Sequence, residues 1–221
     1  MGHDGRLELV LGDPGAGKDS FIYWQIQNRP FVLIQTAPNN ETMDQMAYLF
    51  DTDKNIDRAY KMVRATYQPE GYIVDDHAYY HFAVFFRKNQ IEANPKLWPF
   101  MEFCPTLWLG DINYWCADWH RQQRFTLFIR DIRGRDQLVF GSTHRSKADL
   151  PPVVFQYARK IYWVGPFTDD KPQLTTLYGK KSAGLFGSME EFEDKIRNLV
   201  PFDWENPNPD ESVLTIKDET R

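Results

Sequence analysis

The sequence predicts an α/β fold in which a mostly parallel central sheet is flanked by helices on both faces. Three observations predict it. Short apolar, β-branched or aromatic runs recur along the chain, as strands buried on both sides require. Stretches with helical spacing alternate with them. A glycine-rich turn joins the first such run to the first helical stretch. The first strand is Leu7-Glu8-Leu9-Val10-Leu11, ending at Gly12, and Phe21-Ile22-Tyr23-Trp24-Gln25-Ile26 belongs to the helix that follows. Phe31-Val32-Leu33-Ile34-Gln35 is a second strand, cut by Pro38 and Asn39-Asn40.

Helical spacing is expected over residues 41–50, and residues 61–67 can form a third strand, stopped at Pro69. Over residues 76–88 the set Ala78, Tyr79, Phe82, Phe85 and Phe86 repeats as one face of a helix, with Asp75 or Asp76 as its cap. Residues 106–110 then read as a strand, 117–133 as a helix, 138–141 as a strand, 153–159 as a helix and 161–164 as a strand. Residues 1–200 are expected to form one domain. The tail, 201–221, is an acidic extension rich in Pro and Asn in which residues 212–216 can form an edge strand.

With 221 residues, 42% of them hydrophobic and 15% aromatic, the chain can bury a core, which excludes global disorder. No apolar run approaches the roughly 18 residues that span a bilayer, and the amino terminus lacks a basic region before an apolar stretch. A soluble, unexported protein is expected. Cys104 and Cys116, neither in a Cys-x-x-Cys pair, exclude a disulfide framework and a zinc ribbon. Net charge is −5, but it is unevenly spread: residues 121–160 hold nine basic side chains against three acids, leaving that segment at +6 and the remainder at −11.

Gly12-Asp13-Pro14-Gly15-Ala16-Gly17-Lys18 matches the phosphate-loop pattern G-x-x-x-x-G-K, and it lies where that motif must lie, between a strand and a helix. Its glycines let successive main-chain N–H groups point into one concavity, the helix start adds partial positive charge, and Lys18 reaches the β- and γ-phosphates. Residues Gly12 to Lys18, with Asp19 and Ser20, are the candidate nucleotide-binding residues. One position departs from the pattern. The Ser or Thr that ligates magnesium after the lysine is Asp19 here, followed by Ser20. A carboxylate beside a triphosphate is tolerable when a cation lies between them or when it turns away.

A phosphate-loop NTPase also needs an acid at the end of a neighbouring strand. Tyr72-Ile73-Val74-Asp75-Asp76 offers one, but its acids sit where a helix cap is wanted. Thr106-Leu107-Trp108-Leu109-Gly110-Asp111 is the longer strand and is preferred. Gly110 then falls at the metal-side position and Asp111 at the water-orienting one. The metal-side carboxylate is then expected at Asp19, and Asp19 and Asp111 are the candidate magnesium ligands.

The stretch Arg130-Asp131-Ile132-Arg133-Gly134-Arg135-Asp136-Gln137-Leu138-Val139-Phe140-Gly141-Ser142-Thr143-His144-Arg145, followed by Ala148-Asp149-Leu150-Pro151-Pro152, resembles a segment of the FtsK/HerA class of P-loop DNA translocases. There an Arg-rich helix end leads into an apolar strand that ends in a polar sensor before an Asp-Leu-Pro turn. Over residues 6–165 in motif order, the chain most resembles the genome-packaging ATPases of icosahedral double-stranded DNA viruses with an internal membrane.

The resemblance implies a RecA/HerA-like P-loop NTPase. It implies a ring, usually hexameric, that threads double-stranded DNA using Mg-ATP hydrolysed at subunit interfaces. Capsid vertex or portal proteins are the implied partners, and the infected cell's cytoplasm and the virion vertex the implied locations. His144 takes the place of the sensor glutamine. Arg133 and Arg135 are the candidates for the arginine that a neighbouring subunit delivers to the γ-phosphate, with Arg130 and Arg145 behind them. Lys18, Asp111, Arg133, Arg135 and His144 form the expected catalytic set.

Other signals weigh less. His77 and His81, four apart on the expected helix, could share a zinc ion but have no third ligand. The tryptophans suit a core better than base stacking, and neither cysteine has a local base. Two further readings stay open: a deoxynucleotide or nucleoside monophosphate kinase, for which no arginine-bearing lid is found, and a non-hydrolysing nucleotide-binding subunit, suggested by Asp19 and Gly110.

Overall fold

The strands are β1 (Arg6–Leu11), β2 (Phe31–Gln35), β3 (Tyr48–Asp51), β4 (Tyr72–Val74), β5 (His77–Tyr79), β6 (His81–Phe85), β7 (Thr106–Leu109), β8 (Leu138–Thr143), β9 (Ala158–Val164) and β10 (Val213–Lys217). The helices are α1 (Lys18–Ile26), α2 (Leu97–Phe103), α3 (Trp119–Asp131), α4 (Pro152–Tyr157), α5 (Met189–Arg197) and α6 (Pro209–Ser212), with 3-10 turns at Ile112–Cys116 and Arg133–Arg135. This computed structural model describes residues 5–35, 48–51, 61, 64, 72–74, 77–79, 81–85, 96–116, 118–144, 150–167 and 188–217.

Eight strands form one sheet in the order β10-β9-β1-β8-β7-β2-β6-β3. Its neighbours are parallel except β10, which runs antiparallel to β9 at the edge. β4 and β5 form a separate antiparallel pair. Strands inside a parallel sheet meet protein on both faces, and β7 and β8 are buried along their whole length.

Alternation along β1 divides the core. Leu7, Leu9 and Leu11 face a cluster with Phe100 of α2, Phe125, Phe128 and Ile129 of α3, Val154 of α4 and Phe192 and Ile196 of α5. Val10 faces the other way, onto Phe21, Ile22 and Ile26 of α1 together with Trp108, Phe140, Tyr162 and Phe202. Helices therefore cover both faces, four on one side and α1 with the 202 region on the other. Local chemistry sets their starts: the Asp118 side chain accepts the Arg121 N–H at 2.9 Å ahead of α3, and Ser188 accepts the Glu191 N–H at 3.1 Å ahead of α5.

Several expectations are corrected. Tyr48–Asp51 is a strand, so the helix expected through residue 50 does not reach that far; residues 41–47 lie outside the described residues. Lys61 and Arg64 are helical rather than extended. The helix expected over 76–88 is replaced by β5 and β6, with β6 hydrogen-bonded between β2 and β3. A strand inside a sheet can carry apolar residues at consecutive positions, and such a run satisfies helical spacing by chance. Asp75, Asp76 and residues 86–88 lie outside the described residues. His77 and His81 stand on two strands and share no helix face, which removes the zinc pair. α4 stops at Tyr157, and Ala158 already belongs to β9. Among the described residues no helix is long and apolar enough to cross a membrane.

Candidate active site

The loop after β1 depends on two left-handed glycines, Gly15 at φ 78° and Gly17 at φ 86°. Ala16 N–H closes the turn onto the Asp13 carbonyl at 3.1 Å, and Phe21 N–H makes the first helical bond to Gly17 at 2.8 Å. Gly17 occupies the cap position of α1 with no side chain capping the helix. The uncapped first turn therefore presents main-chain N–H groups and the positive end of the helix dipole. Asp19 lies in that first turn, where a carboxylate is favoured.

Lys18 is buried, and its ammonium donates to the Asp13 carbonyl at 2.8 Å and to His144 Nδ1 at 2.9 Å. Burial lowers the Lys18 pKa, while Asp19, Asp13 and Asp111 oppose the shift. Because His144 Nδ1 accepts from an ammonium, the neutral ring carries its proton on Nε2, which lies 3.8 Å from Asp111 Oδ1. Burial and then Lys18 lower the His144 pKa, against Asp111, Asp19 and Asp13.

β8 runs between β1 and β7, so the ends of three adjacent strands bring Lys18, His144 and Asp111 together. Asp111 has φ 51°, a left-handed conformation that Asp accepts more readily than most residues. Two bonds fix its turn: Gly110 N–H to the Ile34 carbonyl at 3.1 Å and Tyr114 N–H to the Asp111 carbonyl at 2.9 Å. The Thr143 hydroxyl donates to Asn113 Oδ1, tying the end of β8 to the turn that carries Asp111. Nothing in the sequence pattern pointed to Asn113. A second contribution the sequence reading missed is Phe202, whose N–H donates to the Ala16 carbonyl at 3.0 Å.

The candidate arginines lie elsewhere. Arg133 and Arg135 occupy the turn before β8 and His144 the position after it, so the strand's length, about 20 Å, separates them. Gly5, which precedes β1, packs there: a Cβ on it would lie 2.8 Å from Arg133 Cα. Arg135 Nη2 donates to the Phe128 carbonyl at 2.8 Å, with Glu102 at 3.9 Å and the guanidinium over the Phe128 ring at 5.1 Å. Arg133 is exposed, Arg130 pairs with Asp131 at 2.9 Å, and Arg145 lies outside the described residues. Cys104 and Cys116 are buried, and burial raises both thiols, Cys116 to about 12, which disfavours thiolate chemistry.

Among the described residues no three His, Cys, Asp or Glu side chains are grouped to hold a metal ion by themselves. Magnesium that takes part of its ligands from phosphate and water needs no such group, and the hard carboxylate oxygens of Asp19 and Asp111 fit it.

No known protein family profile matches the chain, and no curated protein matches it in sequence. Solved structures do. B204, the DNA-packaging ATPase from Sulfolobus turreted icosahedral virus, is similar with a TM-score of 0.58 at 15% identity, over 98% of each chain. The genome-packaging NTPase B204 from Sulfolobus turreted icosahedral virus 2 is similar in its complex with ATP-γS, with a TM-score of 0.58 at 14% identity, and in its complex with sulfate, at 0.57 and 15%. Both comparisons cover 98% of each chain. The chain therefore has the fold of a P-loop NTPase, shared over nearly its full length with these viral packaging proteins.

Proposed function

We propose that the chain is an ATP-driven double-stranded DNA translocase of the FtsK/HerA class that packages a viral genome into a capsid, hydrolysing Mg-ATP between the subunits of a ring. One observation carries the reading: Lys18, His144 and Asp111 converge from three adjacent strand ends beside an uncapped glycine loop. The fold shared with B204 supports it.

In this mechanism main-chain N–H groups of residues 15–18 wrap the β-phosphate, and Lys18 leaves the Asp13 carbonyl to reach the β- and γ-oxygens. Asp111 orients the attacking water and receives its proton. His144, neutral and released by the Lys18 ammonium, turns toward the γ-phosphate as the polar sensor. Asp19 and Asp111 would hold magnesium, which when bound neutralises phosphate charge. Arg133, too far away to act on its own subunit's nucleotide, delivers positive charge to a neighbour's γ-phosphate. Other exposed basic side chains within residues 121–160 contact DNA phosphates without reading sequence. Such a ring works in the cytoplasm of the infected cell and at a capsid vertex, beside portal proteins.

Phosphate release by the purified chain, with and without duplex DNA, tests the reading. DNA-stimulated release that falls steeply with salt is expected. Phosphoryl transfer to a nucleoside monophosphate would make the protein a kinase, and nucleotide binding without turnover a structural subunit.

A further inference from the structure

The phosphate loop is walled by residues from the far end of the chain. Phe202 N–H donates to the Ala16 carbonyl at 3.0 Å. A Cβ on Gly17 would lie 2.1 Å from the Phe202 carbonyl oxygen, so the two backbones touch at a point where only glycine fits. On the loop's other flank, a Cβ on Gly165 would lie 2.7 Å from Ala16 Cβ, and one on Gly12 2.3 Å from the Val164 carbonyl oxygen. Ala16 is thus held between Gly165 and Phe202.

The same segment grips the helix that the loop feeds. The Phe202 ring, buried at 3% exposure, meets Phe21 edge-on at 5.3 Å and lies 5.6 Å from Trp24, and Trp204 meets Tyr23 edge-on at 5.2 Å. It is also anchored behind. Val200 N–H donates to the Glu211 carbonyl at 3.1 Å, the Ser212 hydroxyl to the Pro201 carbonyl at 3.5 Å, and Gly165 N–H to the Ser212 carbonyl at 2.8 Å. A bonded circuit therefore runs from the loop through residues 200–202, on to Ser212 ahead of β10, and back to the loop through Gly165.

A loop with two left-handed glycines has little intrinsic preference for one shape, so what touches it decides its shape. We infer that residues 200–204 are a clasp on the phosphate loop, with Phe202 a positioning residue that holds Ala16 and Gly17 in the conformation that grips a nucleoside triphosphate. Docking of the clasp and occupancy of the loop are then one linked equilibrium, each strengthening the other by the same factor. The inference rests on the proposed nucleotide site and adds a regulator to it: whatever displaces the segment ahead of β10 loosens the nucleotide.

Hydrogen–deuterium exchange of the full chain, with and without Mg-ATP-γS, tests this on the unaltered protein. Slower exchange at residues 12–20 together with residues 199–204 is expected. Slowing at 12–20 alone overturns the clasp and leaves the nucleotide site standing. No slowing anywhere, with no fluorescent ATP analogue retained, overturns the nucleotide site itself. Phe202→Ala should weaken binding of that analogue about tenfold, with a smaller loss of turnover at saturating ATP, and Phe202→Leu should restore most of the affinity. Unchanged affinity in a folded Phe202→Ala protein also overturns the clasp.

Discussion

The two ends of the central sheet treat charge in opposite ways. At the amino-terminal end of the parallel strands, Glu8 is 2% exposed and has opposite or donating groups on every side. Arg6 Nε lies 2.5 Å away, the Tyr162 hydroxyl 2.7 Å and Lys160 3.8 Å. Burial and then Glu8 raise the Tyr162 phenol. Nearby, Gln137 Nε2 donates to the Met101 and Cys104 carbonyls at 2.5 and 2.6 Å, and Arg135 binds the Phe128 carbonyl. At the carboxyl-terminal end, Asp13, Asp19 and Asp111 all act on one buried ammonium, Lys18, and on His144. Polar groups that pair with each other serve the fold, even though Gln137 Oε1 and Arg135 Nε there are buried without a hydrogen-bond partner among the described residues, whereas a surplus of one sign held in place suits a ligand that brings the other. Under the proposed function magnesium brings that opposite charge, and the triphosphate it carries meets Lys18 and the loop amides.

The largest expected effect separates the ends by what each loses. Lys18→Met should cut turnover by about 10²–10³-fold and leave the melting temperature unchanged or higher, because an ammonium held below its ordinary pKa by burial is replaced by an apolar chain of similar length. Glu8→Ala should do the reverse. It removes the carboxylate that Tyr162, Arg6 and Lys160 face and costs about 2–4 kcal/mol of stability, while KM for ATP in the folded protein stays put. Calorimetry beside steady-state kinetics checks both. A Glu8→Ala protein with full stability and lost turnover would erase the distinction between the ends.

Next comes the surplus itself. Asp19→Ser should raise the magnesium needed for half-maximal activity about tenfold, and Gly110→Asp added to it should bring the requirement back. Sterically the rescue is open, since a Cβ on Gly110 meets only the Ile34 carbonyl oxygen at 3.5 Å and Leu33 Cδ1 at 3.9 Å. A single variant with unaltered magnesium dependence sinks the migrated-carboxylate idea.

Legibility followed how local each feature is. The phosphate loop could be read because its glycines, its lysine and the flanking strand and helix are contiguous. β1, β2, β7 and β8 could be read because each is an apolar run bounded by Gly, Pro or polar residues. The 76–88 region could not, because β6 lies between two strands inside the sheet and the apolar positions of its sequence mimic a helical stripe. At the site, Lys18 and His144 meet across 126 residues of sequence, and no local pattern encodes such a contact. The clasp was hidden more deeply still. Phe202 sits in a stretch whose prolines, asparagines and acids look like a solvated tail, and its grip on Ala16 and Gly17 is made mostly by backbone atoms.

A smaller effect concerns the arginines. Arg135→Ala should lower the melting temperature, since it removes a hydrogen bond to the Phe128 carbonyl and uncovers that ring. Arg133→Ala, on the exposed turn, should leave stability within about 0.5 kcal/mol yet slow DNA-stimulated hydrolysis. Mixing Arg133→Ala with Lys18→Met should then recover part of the activity, because each protein supplies what the other lacks across a shared boundary. No recovery in a mixture shown to co-assemble would exclude Arg133 as the residue delivered in trans.

The smallest effect uses the two cysteines as reporters, one at each end. Cys104 precedes β7 at the closed end, fully buried, with its thiol donating to the Phe100 carbonyl at 3.2 Å. Cys116 ends the 3-10 turn that follows Asp111 and is 9% exposed, its thiol pushed up to about 12. Only the thiolate reacts with an aromatic disulfide reagent, so at about pH 8 labelling of either must wait for local opening. A short 3-10 turn, with its poorer hydrogen-bond geometry, opens at less cost than the packed end of a helix. Cys116 should therefore label several-fold faster than Cys104 in the native protein, with the difference vanishing in urea. Mg-ATP-γS should slow Cys116 alone, since its neighbours are the ones that would bind it. Equal native rates, or nucleotide protection that reaches Cys104 to the same degree, would mean that the two ends open as one unit and that the contrast between them is electrostatic without being mechanical.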